Sequence, residues 1–283
     1  MNRKFFLFLT LFVLGVFVTV EAAQALRITL KRVVFEGPKR AEVLTIINSS
    51  DEVRTYRLGW RNFVMTADKS LVALGEGDEV PANAKMVEDM VRFAPRRFTL
   101  APKSSQQVRM ILRTPAGLGD GEYRSHFWVR PEEDVKELRL KAEKQAAAQG
   151  RKSGGVSLTM LAGVTMPVIV RKGALDATAS IGNLSATESG GFVDVGFSLT
   201  REGTRSIYGD VNYVCNEGAS AYTLRTTRGI AVYTELNQRN FNLRIEKAPG
   251  QARCSTLTVS FTQTDGFKGD AEATLASAKT QVN

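Results

Sequence analysis

Side chains that could carry out catalysis are scarce in this chain of 283 residues. His126 is the only histidine, and it lies in a strand-like run where a packed histidine is more typical than a general base. The chain contains no Gly-x-Ser-x-Gly, His-Glu-x-x-His, P-loop or dinucleotide-binding glycine motif. The carboxylates of residues 132–134 fall in a charged segment, where solvation accounts for them. We therefore predict that the protein is not an enzyme and has no catalytic residue, cofactor or metal site.

The two cysteines, Cys215 and Cys254, are the other reactive side chains. Their spacing does not match the Cys-x-x-Cys pattern of redox and zinc sites, although a redox or metal role remains a minor alternative. In an oxidising compartment they are expected to form one disulfide. Closing a loop of about 40 residues would contribute on the order of 4 kcal/mol in the chain-entropy model.

The first 25 residues have the pattern of an export signal. Arg3 and Lys4 precede an apolar run at positions 5–20, and the run is followed by Ala23-Gln24-Ala25, a typical signal peptidase site. We predict a signal peptide at residues 1–25, cleaved after Ala25. The alternative is an uncleaved anchor, but an apolar run of about 16 residues is shorter than the roughly 20 that span a bilayer. Export argues against a nucleic-acid partner despite the net charge of +9.

The most informative stretch for binding chemistry is residues 156–170. Every second residue is apolar, which is the period of a β-strand, and the stretch contains no charged residue. A helix is disfavoured because it would include Gly163 and Pro167. The apolar positions are Val156, Leu158, Met160, Ala162, Val164, Met166, Val168 and Val170.

Two interpretations of this stretch are open. In the first, it is a long core strand that its own domain covers on both sides. In the second, it is an edge strand that binds a partner by strand addition, with backbone hydrogen bonds and alternate side chains making the contact. Pro167 lacks an N–H, which suits an edge, and Gly163 could supply a bulge. The absence of charge also leaves such an edge unprotected against pairing.

Short β-like runs separated by turns account for most of the remaining chain, which predicts an all-β protein of two sandwiches. We predict an N-terminal domain at 26–172, with a long loop at 131–155, and a C-terminal domain at 173–283. Residues 27–35 are predicted as one strand, and residues 65–90 as a looser region. In the second domain, residues 222–226 and 230–234 are predicted as separate strands.

Three segments of the first domain carry a resemblance to a known family. Residues 31–37 (KRVVFEG), 96–109 (RRFTLAPKSSQQVR) and 121–127 (GEYRSHF) resemble the PapD-like periplasmic pilus-assembly chaperones, in a less usual branch. The second domain matches more weakly, mainly at Tyr208-Gly209-Asp210. The resemblance implies two immunoglobulin-like β-sandwich domains set in an L, in the periplasm.

The resemblance also implies a function for the apolar strand. Such chaperones bind a pilus or fimbrial subunit that lacks its last strand, insert their own strand into its groove, and deliver it to an outer-membrane usher. Leu158, Met160 and Ala162 would be the main subunit-binding residues, flanked by Val156 and Val164. Arg32 falls on the arginine that anchors the subunit's C-terminal carboxylate, a group that a guanidinium binds well.

The sequence departs from the family at the lysine that completes this anchor, because Pro167 stands there. Arg171 matches an arginine that ties the domains together, with Glu122 as the expected partner, but no second-domain acid corresponds. A self-capping dimer is a further expectation. The alternative function is a secreted structural or adhesive protein with two immunoglobulin-like domains, in which the apolar strand is simply buried.

Overall fold

The structure describes eighteen β-strands. The structure is a computed structural model that describes residues 26–66, 71–75, 77–82, 84–132, 162–218, 220–264 and 273–283, with the single positions 140, 144 and 148. Within these residues, no helix has the length and apolar character needed to cross a membrane. The predicted signal peptide, residues 1–25, lies outside the described part.

The first eleven strands build a sandwich of two sheets and a small hairpin. Their bounds are β1 (Leu26–Ile28), β2 (Val33–Phe35), β3 (Ala41–Asn48), β4 (Arg54–Arg61), β5 (Phe63–Val64), β6 (Val72–Ala73), β7 (Val91–Ala94), β8 (Arg97–Leu100), β9 (Ser105–Leu112), β10 (Gly121–Glu132) and β11 (Val164–Lys172). One sheet has the order β1-β3-β9-β7 and the other β2-β11-β10-β4-β8, while β5 and β6 pair as the hairpin.

Alternating side chains produce the core between these sheets. In β9, Val108, Met110 and Leu112 are buried and the residues between them are exposed, as a two-residue period requires. Phe35 and Phe127 contribute large, fully buried rings from the facing sheet. The first sandwich therefore has a continuous core of its own.

The predicted single strand at 27–35 is wrong, because the structure has two strands in different sheets. β1 pairs antiparallel with β3, and β2 pairs in parallel with β11. The intervening residues 29–32 cross from one sheet to the other. Arg32 is the last residue of this crossing, immediately before β2.

Two other boundaries differ from the predictions. The looser region at 65–90 contains β6, and its Val87 and Met90 are buried in the first core. Isolated apolar residues in a polar segment give no periodic signal, so the pattern could not identify them. The predicted loop at 131–155 starts too early, since Pro131 and Glu132 belong to β10. Most of its other residues lie outside the described part.

The last seven strands form the second sandwich. Their bounds are β12 (Ala177–Ser189), β13 (Phe192–Gly203), β14 (Ile207–Glu217), β15 (Ser220–Val232), β16 (Gln238–Glu246), β17 (Thr256–Gln263) and β18 (Ala273–Gln281). The sheets have the orders β12-β13-β16 and β15-β14-β17-β18. β15 joins two strands that were predicted separately, and its pairing with β14 shifts register twice. The all-β class with two sandwiches is confirmed.

The predicted disulfide is also confirmed. Cys215 of β14 is bonded to Cys254, which precedes β17, with 5.2 Å between the two Cα atoms. Both residues are buried in the second core. The bond therefore ties the segment before β17 to β14, the strand that pairs with β17 in the same sheet.

Candidate functional site

The strand β11 is the described part of the stretch that was predicted to bind a partner. It begins at Val164 and runs two residues beyond the predicted end. Of the predicted subunit-binding residues, Val164 is half-buried, and Ala162 is exposed and belongs to no strand. Val156, Leu158 and Met160 lie outside the described residues.

The two faces of β11 are both covered in its C-terminal half. Met166, Val168 and Val170 point into the core of the first sandwich, as the alternation predicts. On the opposite face Ile169 is fully buried, in a small cluster with Val34, Met65, Ala231 and Tyr233. Since Ala231 and Tyr233 come from the second sandwich, this cluster is an interface between the two sandwiches.

The two edges of β11 are covered unequally. On one edge β10 pairs with the whole strand, from Val129 opposite Val164 to Gly121 opposite Lys172. On the other edge β2 pairs only with residues 168–170. In the part of the chain that the structure describes, no strand pairs with this edge at residues 164–167. We call these four residues the open edge.

Arg32 lies beside the end of the open edge. Val33 is paired with Val168, so Arg32 and Pro167 occupy the preceding level of the same parallel pair. Arg32 is 3% exposed, and its Cζ lies 4.3 Å from the ring centroid of Tyr208 in β14. The predicted anchor residue is thus located between the sandwiches, stacked on an aromatic ring of the second one.

Arg171 and Glu122 are brought together by the pairing of β11 with β10. Arg171 Nε donates to Glu122 Oε2 at 3.0 Å, and the two side chains are 2% and 1% exposed. Arg171 also contacts Glu36 at 3.1 Å. Although burial acts in the opposite direction, these carboxylates raise the pKa of Arg171. The guanidinium is therefore held as a buried cation.

Glu122 contacts the second sandwich through a backbone N–H instead of through an acidic side chain. Its Oε2 accepts a hydrogen bond from the backbone N–H of Ser206, at 3.1 Å. Ser206 directly precedes β14 and is buried. A backbone donor thus occupies the place where the family resemblance suggested an acidic residue, and a sequence search for a side chain could not find it.

A buried ion pair between the two sandwiches was not predicted from the sequence. Arg124 of β10 pairs with Glu235, in the turn after β15, and its guanidinium lies 3.7 Å from the ring centroid of Tyr233. Arg124 also donates to the carbonyl of Phe63 at 3.1 Å. One sequence signal existed: β10 carries polar residues at 122, 124 and 126, on one face of a strand. Their partners lie too far away in the chain to be identified from that pattern.

His126 completes this polar face, in a packed position. Its ring contacts Phe63 edge-on, with 4.8 Å between centroids, and lies 6.4 Å from the ring of Tyr233. Burial lowers the pKa of His126 to about 3, and the neighbouring Arg124 cation acts in the same direction. The imidazole is therefore neutral at ordinary pH. Among the described residues, no group of three or more His, Cys, Asp or Glu side chains could hold a metal ion.

No protein-family model and no curated protein matches the chain. Solved structures that are similar to it include the YadV chaperone, with 11% identity, 91% of this chain and 99% of that chain covered, and a TM-score of 0.41. The E. coli chaperone DraB has 11% identity, coverage of 90% and 97%, and a TM-score of 0.39. Salmonella enterica SafA pilin in complex with the SafB chaperone has 13% identity, coverage of 90% and 95%, and a TM-score of 0.38.

Proposed function

We propose that this protein is a periplasmic chaperone for pilus or fimbrial subunits. In this proposal residues 1–25 direct export and are removed after Ala25. Residues 26–172 bind and cap a subunit by donating a strand, and the complex is delivered to an outer-membrane usher. Residues 173–283 form the second domain, which supplies the Tyr208 ring that stacks on Arg32.

The open edge is the observation that carries the proposal. Its residues 164–167 pair with β10 on one side only, so the backbone groups on the other side are free to pair with a polypeptide within the described fold. The alternating apolar residues continue upstream through Ala162, Met160, Leu158 and Val156, which would fill the groove of an incomplete subunit. Backbone pairing would supply affinity and the alternate side chains would fix the register.

Arg32 is the proposed binding site for the C-terminus of the bound chain. It lies level with Pro167, at the place where the open edge meets β2. A subunit strand that pairs with the open edge would bring its C-terminal carboxylate to this guanidinium. Pro167 cannot donate a hydrogen bond, so the proposed anchor is Arg32 together with backbone N–H groups.

Co-expression tests the proposal. The protein is produced in the periplasm of a bacterial host with a fimbrial subunit encoded beside its own gene, and subunit recovery and stoichiometry are measured. A chaperone raises the recovered subunit and co-purifies with it one to one. An adhesive or structural protein does neither, and that result would overturn the proposal.

Matched substitutions locate the contact. Leu158→Asp and Met160→Asp place a charge on the apolar face and are expected to abolish subunit capture. Ser157→Asp and Thr159→Asp place the same charge on the alternate face and are expected to preserve it. Circular dichroism and thermal unfolding of the isolated variants provide the control. If the first pair unfolds the protein, the apolar face is internal core instead.

A further inference from the structure

The guanidinium of Arg32 is covered in this structure. Its three nitrogens, Nε, Nη1 and Nη2, are all buried, as is the residue as a whole. A carboxylate binds a guanidinium through N–H···O contacts of about 2.7–2.9 Å, so it must reach those same nitrogens. The proposed anchor is therefore closed in this conformation, and the binding of a carboxylate requires it to open.

A ring of the second sandwich closes the anchor. Arg32 is two residues before Val34, so the two side chains share one face of the chain, and Val34 packs in the cluster between the sandwiches. Tyr208, the second residue of β14, places its ring centroid 4.3 Å from Arg32 Cζ. A guanidinium over an aromatic face is attracted to it, and the attraction grows when the pair is desolvated. The closed state is thus held by a specific contact.

Tyr208 lies at the margin of the junction between the sandwiches. It is half-buried, whereas Ala231 and Tyr233 in the neighbouring cluster are buried. Its hydroxyl borders Gly229 of β15, where an added Cβ would be 3.2 Å from Tyr208 Oη. Gly229 is exposed, so the outer end of the ring lies beside a surface segment. The ring can therefore leave Arg32 without separating the buried cluster.

Other contacts hold the two sandwiches together. Glu122 Oε2 accepts the backbone N–H of Ser206, which fixes the chain two residues before Tyr208. The buried pair of Arg124 and Glu235 joins the sandwiches at a separate point. Because these contacts do not involve the Tyr208 ring, its displacement leaves the junction in place. The side chain is then the movable part of the contact with Arg32.

We propose that the Tyr208 ring closes the carboxylate anchor in the unoccupied protein and that the C-terminus of a captured chain displaces it. The inference rests on the proposed function, in which Arg32 binds that carboxylate. Displacement replaces a stacking contact by charge-assisted hydrogen bonds, which are the stronger interaction for a guanidinium. The anchor opens only for a ligand that carries a carboxylate.

The closed state distinguishes the end of a bound chain from a free anion. Closure lowers the apparent affinity for any carboxylate in proportion to the fraction of molecules in which the ring is displaced. A chain that has paired with the open edge holds its carboxylate beside Arg32, at an effective concentration far above that of a free ion. The paired chain therefore opens the anchor, and small carboxylates such as acetate do not.

Peptide binding to the mature full-length protein tests this inference. The probe is the C-terminal peptide of the co-expressed subunit, labelled with fluorescein at its N-terminus and made with a free or an amidated C-terminus. Tyr208→Ala is expected to bind the free peptide about tenfold more tightly than the unmodified protein does, because the ring no longer competes. Binding of the amidated peptide should change less than about twofold. Weaker or equal binding of the free peptide by Tyr208→Ala would overturn the inference.

Three further variants control for ring chemistry and for folding. Tyr208→Phe keeps the ring and should bind both peptides as the unmodified protein does. Tyr208→Leu keeps apolar volume at the junction without an aromatic face, and it serves if Tyr208→Ala does not fold. Tyr222→Ala removes another half-buried ring of the second sandwich, whose hydroxyl donates to the carbonyl of Ala252, and should leave binding unchanged. Thermal unfolding of each isolated variant verifies its fold.

Chemical labelling measures the closure without a peptide. Phenylglyoxal reacts with accessible guanidinium groups, and peptide mapping by mass spectrometry follows the labelling of Arg32 alone. Arg32 should react about tenfold faster in Tyr208→Ala than in the unmodified protein, because labelling requires the open state. Sodium acetate should compete with the free peptide for Tyr208→Ala and not for the unmodified protein. Equal competition by acetate in both proteins would overturn the inference.

The failures of the two proposals are distinguishable. Unchanged labelling of Arg32 in Tyr208→Ala, with the free peptide still preferred over the amidated one by the unmodified protein, would refute the closure and leave the anchor. Equal binding of the free and amidated peptides by both proteins would refute Arg32 as the anchor, and with it the closure as a step of capture. Preference for the free peptide without subunit recovery on co-expression would refute the proposed function alone.

Discussion

Arg124 and Glu235 form an ion pair that joins the two sandwiches and is almost completely buried, with side-chain exposures of 7% and 5%. The carboxylate also accepts the backbone N–H of Met65, at 3.3 Å. The turn that carries Glu235 is held by Arg201, which donates to the carbonyl of Leu236 at 3.2 Å. Removing one partner of a buried ion pair lowers the free energy of unfolding by more than the pair's net contribution, because the other charge is left buried and unpaired.

Glu235→Gln is therefore expected to destabilise the protein by about 3 kcal/mol or more. The free energy of unfolding from urea titration, followed by tryptophan fluorescence, provides the measurement. Arg124→Met combined with Glu235→Leu removes both charges and is expected to cost less than the single change. A double variant that is as unstable as Glu235→Gln would show that apolar packing, and not the uncompensated charge, is responsible.

Glu122 and Glu36 provide a matched comparison around Arg171. Glu122 is buried and binds both Arg171 and the Ser206 N–H, whereas the Glu36 side chain is 52% exposed. Glu122→Gln is expected to cost about 3 kcal/mol of unfolding free energy. Glu36→Gln should cost less than about 1 kcal/mol, as exposed ion pairs do. Equal losses in denaturant titrations would contradict the interpretation of Glu122 as the bridge between sandwiches.

His126 should make stability depend on pH. Its pKa is about 3 in the folded protein and 6.5 for an unperturbed histidine, so between these values the unfolded chain binds the proton more readily. The contribution of neutral His126 to the free energy of unfolding is fully present above about pH 6.5 and decreases as the pH falls toward 3. From pH 8 to pH 5 the loss is expected to be about 2 kcal/mol.

The attribution is direct, since His126 is the only histidine in the chain. The groups that face it are the Arg124 guanidinium and the Tyr233 ring, and burial raises the pKa of Tyr233, so its hydroxyl does not ionise over this range. His126→Phe retains a ring against Phe63 and should flatten the dependence. The measurement is the free energy of unfolding at both pH values for each protein. An unchanged pH dependence in the variant would refute the assignment.

Local patterns predicted what depends on a single strand. A period of two was sufficient to place Met166, Val168 and Val170 in the core, and the presence of only two cysteines was sufficient to pair them. The burial of Ile169 could not be predicted, because the covering residues belong to the second sandwich. The apolar face alone does not reveal what packs on its reverse side.

Contacts between strands that are distant in the chain could not be predicted from the sequence pattern, for a different reason. Arg124 and Glu235 are 111 residues apart, and the chain has 38 basic and 29 acidic residues, so charge alone does not select the pair. Arg32 and Tyr208 belong to different sandwiches, so their contact depends on how the sandwiches pack and not on the pattern of either strand.

The last prediction concerns Arg32 and the end of a captured chain. Arg32→Ala is expected to weaken binding of the C-terminal peptide of the co-expressed subunit about tenfold, because a charge-assisted hydrogen-bond pair to the carboxylate is lost. Arg32→Lys keeps the charge without the planar fork and should recover only part of the affinity. Lys31→Ala removes the neighbouring, exposed charge and should have little effect.

Amidation of the peptide should weaken binding to the unmodified protein as strongly as Arg32→Ala does, and should add nothing further in that variant. Calorimetry on the four combinations of peptide and protein measures this coupling, and equal binding of the free and amidated peptides would exclude Arg32 as the carboxylate anchor.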